Sequence, residues 1–334
     1  MTDRRRKGVS SELIALGIFC ALQIGIMCVF TVLEPRFMSV DNFLGLLNMT
    51  APMALVGLGL TFVAVTGYAD MSFHFVSCLG GMTMSYMIAL GLAPLPAILI
   101  GCAAGGAFGA INGLMVGRFK LPDMVATLGL GAIAFGMAYL YSGGEQIYEN
   151  FADSGIKQLY KARITGVPLP VVLTVGAYAI GFVVLNRSTL GRRFYAIGSN
   201  ATAARFSGVR VERYVAVAFV ICAVVACLTN IIRMSSLAKG EIEAGLVWLM
   251  PAYSAVFVGV SLFKKPTVIG TFLGALLIGT VQNGFMLLGK ATYVMELVMG
   301  VLLIVSIVIS RIDFKEMIRK RRLRAEIAAG GGEL

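Results

Sequence analysis

The chain has 334 residues, 58% of them hydrophobic and only 13% charged, with a formal net charge of +11. A soluble domain of this length needs a larger polar surface, so that class is excluded. The positive charge would suit nucleic acid, but the basic residues lie at the ends of apolar runs and in loops, where membrane topology places them, and no nucleic-acid partner is expected.

Ten apolar runs recur at 13–33, 43–66, 73–92, 95–116, 124–142, 168–185, 214–232, 246–263, 267–288 and 292–310. About 20 helical residues cross the hydrocarbon of a bilayer, so the expected fold is an all-α polytopic membrane protein of about ten transmembrane helices. Residues 1–12 read as a basic N-terminus, 13–310 as the membrane domain and 311–334 as a basic amphipathic tail on the inner leaflet. The first run is longer than a signal-peptide core and lacks an A-x-A-like site, so it reads as an anchor. With the N-terminus inside, 21 of the 28 Lys and Arg fall in cytoplasmic segments, which places both termini in the cytoplasm.

A short break, Gly67-Tyr68-Ala69-Asp70-Met71-Ser72, separates the second and third runs. The Asp70 carboxylate is expected to accept free N–H groups at the start of the third span, with solute contact as the alternative. Polar groups at membrane depth are costly and face the bundle interior, so Asn48, Thr50, Asp70, Asn112 and Asn283 are candidates for a translocation path. Gly101, Gly105, Gly109, Gly113 and Gly117 recur every four residues in the fourth run. They share one helix face and predict close packing inside the bundle, or else a subunit interface. The segment 143–167 sets Glu145, Glu149 and Asp153 against Lys157, Lys161 and Arg163, and reads as a partly ordered external cap.

The loop 186–213 carries six arginines. Ser199 or Asn200 suits an N-cap, Ala201–Ser207 a short helix, and Gly208 its C-terminal turn. Phe194, Ile197, Ala203, Ala204 and Phe206 offer it an apolar face, and the arginines face headgroups or a partner. A cytoplasmic docking surface is the expectation.

No catalytic, cofactor or metal site is expected. His74 is the single histidine, and all six cysteines lie inside apolar runs without a C-x-x-C pair. The stretch from Gly284 to Ala291 resembles a phosphate-binding loop but has Ala291 where a hydroxyl must meet Mg²⁺. Glu296 and Arg233 lie near the outer interface, so the spans lack the buried carboxylate or histidine chain of a proton-driven pump. A neutral, hydroxyl-rich solute and an external energy source fit best.

Several segments then carry a family resemblance: Gly109-Ala-Ile-Asn112-Gly113-Leu-Met-Val, Leu121-Pro122-Asp-Met-Val-Ala-Thr127-Leu128-Gly129, Ser142-Gly143-Gly144, Thr189-Leu190-Gly191-Arg192-Arg193-Phe-Tyr195-Ala196-Ile197-Gly198-Ser-Asn200-Ala-Thr-Ala203-Ala204 and Gln282-Asn283-Gly284. Together they resemble the inner-membrane permease subunit of bacterial ABC sugar importers of the ribose, galactose and xylose type. Two segments depart from that pattern. Gly67–Phe75 keeps only Gly67, Asp70 and Ser72 of a GGIDLSVGS-like stretch, and Lys264-Lys265-Pro266 replaces a glycine-rich turn. The resemblance implies a loop docked in an ATPase subunit, here Gly191, Arg192, Arg193, Ile197, Asn200, Ala203, Ala204, Phe206 and Gly208. It also implies cytoplasmic ABC ATPase subunits, a periplasmic sugar-binding protein and a second permease copy or similar permease as partners, in the bacterial inner membrane. The alternatives are a nucleoside or branched-chain amino-acid permease, or an ion-coupled secondary transporter.

Overall fold

The structure, a computed structural model, describes residues 2–311; the tail expected at 311–334 lies almost wholly outside them. The long helices are α1 (Thr2–Leu33), α2 (Val40–Val65), α3 (Phe73–Ala89), α4 (Pro94–Gly117) and α5 (Asp123–Ser142). A small α6 (Gln158–Lys161) and the two-residue strands β1 (Arg163–Ile164) and β2 (Val167–Pro168) precede α7 (Leu169–Arg187). Then come α8 (Thr189–Ser199), α9 (Ala201–Phe206), α10 (Val211–Leu237), α11 (Leu249–Phe263), α12 (Val268–Leu287) and α13 (Thr292–Arg311). Their starts are set locally. Ser39, Ser188, Asn200 and Thr267 each accept a first-turn N–H as N-caps, and Pro94 and Pro170 occupy first-turn positions that need no donor.

Among the described residues, nine helical segments are long and apolar enough to cross a membrane. The remaining expected span, 73–92, forms α3, which has 17 residues. It rises only about 25 Å, less than the hydrocarbon core of about 30 Å. The non-helical stretch 66–72 makes up the remaining depth, packed inside the bundle with Asp70 and Ser72 each only 1% exposed. Irregular backbone at such depth survives only where protein surrounds it and satisfies its polar groups.

Loop contacts sort the connections onto two faces. On one, Gly67 lies against Gly198, the Ala69 N–H donates to Asp123 at 2.7 Å, and the Tyr195 hydroxyl donates to the Pro266 carbonyl at 3.1 Å. The Lys264 ammonium reaches the Ile309 carbonyl at the end of α13 on this same face. On the opposite face, Ile147 and Gly240 pair through their backbones, and the Asn150 amide donates to the Ala89 carbonyl. Asn42 and Asn283 exchange amide hydrogen bonds at 3.0 Å there too. Successive spans therefore alternate in direction. The first is called the loop face and the second the cap face.

The bundle is organised on α10, whose 27 residues rise about 40 Å. Phe219 and Cys222 join α2, α11 and α12 in one core, while Cys227, Ile231 and Met234 join α3 and the cap in another. The glycine ladder lies along this axis. A Cβ at Gly113 would collide with the Ala216 backbone, one at Gly109 would stand 2.7 Å from the Phe219 carbonyl, and one at Gly105 would strike the Cys227 sulfur. Gly101 abuts the Gly80 carbonyl of α3 in the same way. Internal packing, and not a subunit interface, uses the four-residue spacing. The 143–167 cap is ordered beyond expectation: β1 and β2 form a hairpin, and Phe151 and Ile156 are buried. At the periphery, the apolar windows of α1 and α13 are 11% buried against 83% for α2. Their surfaces suit lipid or a neighbouring subunit.

Candidate functional site

The loop 186–213 folds into two helices where one was expected. Ser188 caps α8 by accepting the Gly191 N–H at 3.2 Å, and Asn200 ends α8 while starting α9, its Oδ1 accepting the Ala203 N–H at 2.9 Å. Gly208, at φ +81°, supplies the left-handed turn after α9. The helix α8 was missed because its arginines hid an amphipathic period. Leu190, Gly191, Phe194 and Ile197 recur at helical spacing and form one inward face.

That face is clamped to the membrane helices. Phe194 is fully buried, edge-on to Phe62 of α2 and to Tyr214 of α10. A Cβ at Gly191 would strike the Leu185 carbonyl of α7, and one at Gly198 the Val65 carbonyl of α2. Only glycine lets α8 sit this low. Ala204 is 5% exposed and belongs to the same core, so it is unavailable to a partner, contrary to the expected docking face. Ile197 is likewise internal. Arg192, Arg193, Asn200, Ala203 and Gly208 face outward. Phe206, 89% exposed, is an apolar knob beside Arg205, which pairs with Glu212 at 2.6 Å. The Arg193 guanidinium lies over the Tyr214 ring and contacts its hydroxyl. Phe206 thus leaves a large apolar ring uncovered on the loop face.

Beneath α8 lies the break at 66–72, held from four sides. The Asp70 Oδ1 accepts the Ser72 N–H at 2.8 Å and the Ser72 hydroxyl at 2.6 Å; the Asn112 amide of α4 donates to Ser72 Oγ at 2.7 Å. From α5, Asp123 accepts the Ala69 N–H and Thr127 Oγ1 the Met71 N–H at 3.0 Å. From α11, Tyr253 donates its hydroxyl to the Asp70 carbonyl at 2.8 Å. The carboxylate thus serves the start of α3, and any displacement of α8 against Val65 and Thr66 meets this knot.

The five candidate path residues separate in space. Asp70 and Asn112 belong to the knot, and Asn283 fastens α12 to α2 through Asn42. Thr50 is buried against Gly279. Asn48 lines a cleft on the cap face. Asp123, Thr127 and Tyr253 were missed by sequence reasoning, since nothing in their local pattern signals a partner 54 to 183 residues away. Among the described residues no cluster of three or more His, Cys, Asp or Glu could hold a metal ion. His74 packs against Phe75 and Phe73, as an ordinary core ring does.

Residues 42–307 match the model of the family described as branched-chain amino acid transport system / permease component. The chain is 30% identical to the ribose import permease protein RbsC of Bacillus subtilis (strain 168), over 93% of this chain and 97% of that one. It is 31% identical to the D-allose transport system permease protein AlsC of Escherichia coli (strain K12), over 90% and 92%. With the L-arabinose transport system permease protein AraH of the same strain the identity is 30%, over 86% and 90%. No solved structure matches.

Proposed function

Because this chain belongs to the branched-chain amino acid transport system / permease component family, a family of membrane transport subunits and not of enzymes, we propose that it carries a neutral monosaccharide or polyol through the bacterial inner membrane. ATP is hydrolysed on separate ATPase subunits docked at α8 and α9, a periplasmic binding protein delivers the sugar at the cap face, and a second permease copy or similar permease completes the path. Relatives whose names specify ribose, allose and arabinose, matching along nearly the whole chain, support the sugar.

The observation that carries the mechanism is the seating of α8. Phe194, Gly191 and Gly198 lock it onto the ends of α10, α7 and α2, while Phe206 projects away. A partner gripping Phe206 and the outward arginines moves α8 as a lever. The lever bears on Val65, and through the Asp70 knot on α3, α4, α5 and α11 together. Two packed arrangements of that bundle, open to either face, are the two-state element that ATP binding biases.

Proteoliposomes containing this chain, its ATPase subunits and its binding protein test the reading. ATP-dependent uptake of radiolabelled ribose, allose or arabinose is expected. Uptake of leucine or a nucleoside in their place would overturn the sugar, and uptake by this chain alone on an ion gradient would overturn the ATPase.

A further inference from the structure

Under the cap lies a cleft of about 230 Å³ between α2, α10, α11 and α12. That is room for several waters, or for one small sugar. Asn48, Tyr160, Arg233, Ser236, Trp248 and Gln282 supply its polar lining. Three buried polar atoms of that lining have no hydrogen-bond partner: Asn48 Oδ1, Arg233 Nε and Trp248 Nε1. Native proteins rarely leave such groups unpaired, and three around one cleft ask for an occupant. A fourth follows from chemistry. Pro52, inside α2, has no N–H to return to the Asn48 carbonyl four residues earlier, so that carbonyl is freed beside the same cleft. The guanidinium of Arg233 lies over the Trp248 ring at 5.7 Å, which holds both side chains in place.

We propose that this cleft is a transit site for one monosaccharide, received at the cap face before the bundle turns. The proposal rests on the sugar-permease reading and names where the sugar pauses. The unpartnered atoms are mixed in kind: Asn48 Oδ1 and the Asn48 carbonyl accept, while Arg233 Nε and Trp248 Nε1 donate. A hydroxyl both donates and accepts, so a polyhydroxylated ring satisfies the two kinds at once. The indole also offers an apolar ring face of the sort that packs against sugar C–H groups. With about ten non-hydrogen atoms to bind, a pentose is held with a dissociation constant on the order of millimolar, loose enough to leave.

Trp248 is the sole tryptophan of the chain, so its fluorescence reports on the cleft directly. The purified chain in detergent is titrated with ribose, allose and arabinose, with glycine betaine at matched osmolality as the control. A saturable change at millimolar sugar, absent with betaine and weakened at least tenfold by Asn48→Leu and by Gln282→Leu, is expected. An unsaturable response, none at all, or one that survives both substitutions would overturn the site. The measurement uses neither ATPase nor binding protein. Failed uptake in proteoliposomes would therefore count against the permease reading, and a silent tryptophan against the cleft alone.

Discussion

The Tyr253 hydroxyl of α11 donates to the Asp70 carbonyl at 2.8 Å, tying the second half of the bundle to the break between α2 and α3. Both groups are buried, and nothing else in α11 reaches the knot through a side-chain hydrogen bond among the described residues. Tyr253→Phe removes the donor and leaves the carbonyl unsatisfied, a loss of about 1–3 kcal/mol. Thermal unfolding in detergent should fall by several degrees, and sugar uptake should fall with it while ATPase binding persists.

Asp70 itself separates shape from charge. Asn at this position keeps an oxygen for the Ser72 N–H and hydroxyl, whereas Ala strands both and loosens the Asn112 bond behind them. Asp70→Ala should therefore destabilise by about 3 kcal/mol or more, and Asp70→Asn by clearly less. Unfolding midpoints of the two variants, compared side by side, check the order; equal losses would mean that the negative charge matters more than the hydrogen bonds.

On the loop face, Phe206 and Ala204 lie two residues apart but should behave oppositely. Phe206→Asp alters a side chain 89% exposed, so stability should change within about 0.5 kcal/mol while ATPase co-purification is lost. Ala204→Arg instead forces a charge into the core beneath α9 and should destabilise the permease itself. Normal melting together with retained ATPase in Phe206→Asp would remove docking from this face.

The glycines of α4 and α5 supply a paired test of packing. Gly113→Val drives a branched side chain into the Ala216 backbone, at a cost of about 1–3 kcal/mol or more, whereas Gly136→Ala in α5 meets nothing within 4 Å. Expression level and melting temperature should drop in the first and hold in the second.

From charge placement we propose that the loop face is cytoplasmic. A cysteine at Ser199, exposed on the loop face, should react with a membrane-impermeant maleimide only in inside-out vesicles. Labelling in right-side-out cells would invert the assignment of faces.

Much of the fold was legible because a bilayer demands long apolar helices, and nine of the ten expected runs fold into helices long enough to cross one. An N-cap at Ser199 or Asn200, the Gly208 turn and the glycine ladder were equally readable, since each depends on residues within one helical turn or on one helix face, and the structure chose Asn200 for the cap. The second loop helix was hidden by its arginines, and the shortness of α3 by a break whose polar groups are satisfied from elsewhere.

The amino-acid sequence by itself determined a multi-pass helical membrane protein and the caps of its loop helix, because hydropathy and capping are local properties. Only the tertiary structure decided which residues do the work. Whether Ala204 faces a partner or a core, whether Asn283 lines a path or fastens a helix, and whether Arg233 at the outer interface stands free or lies over Trp248 depend on contacts between segments far apart in the chain. In a bundle of similar apolar helices, any polar residue can be glue or site. Its neighbours across the bundle, and the hydrogen bonds they leave unmade, settle which.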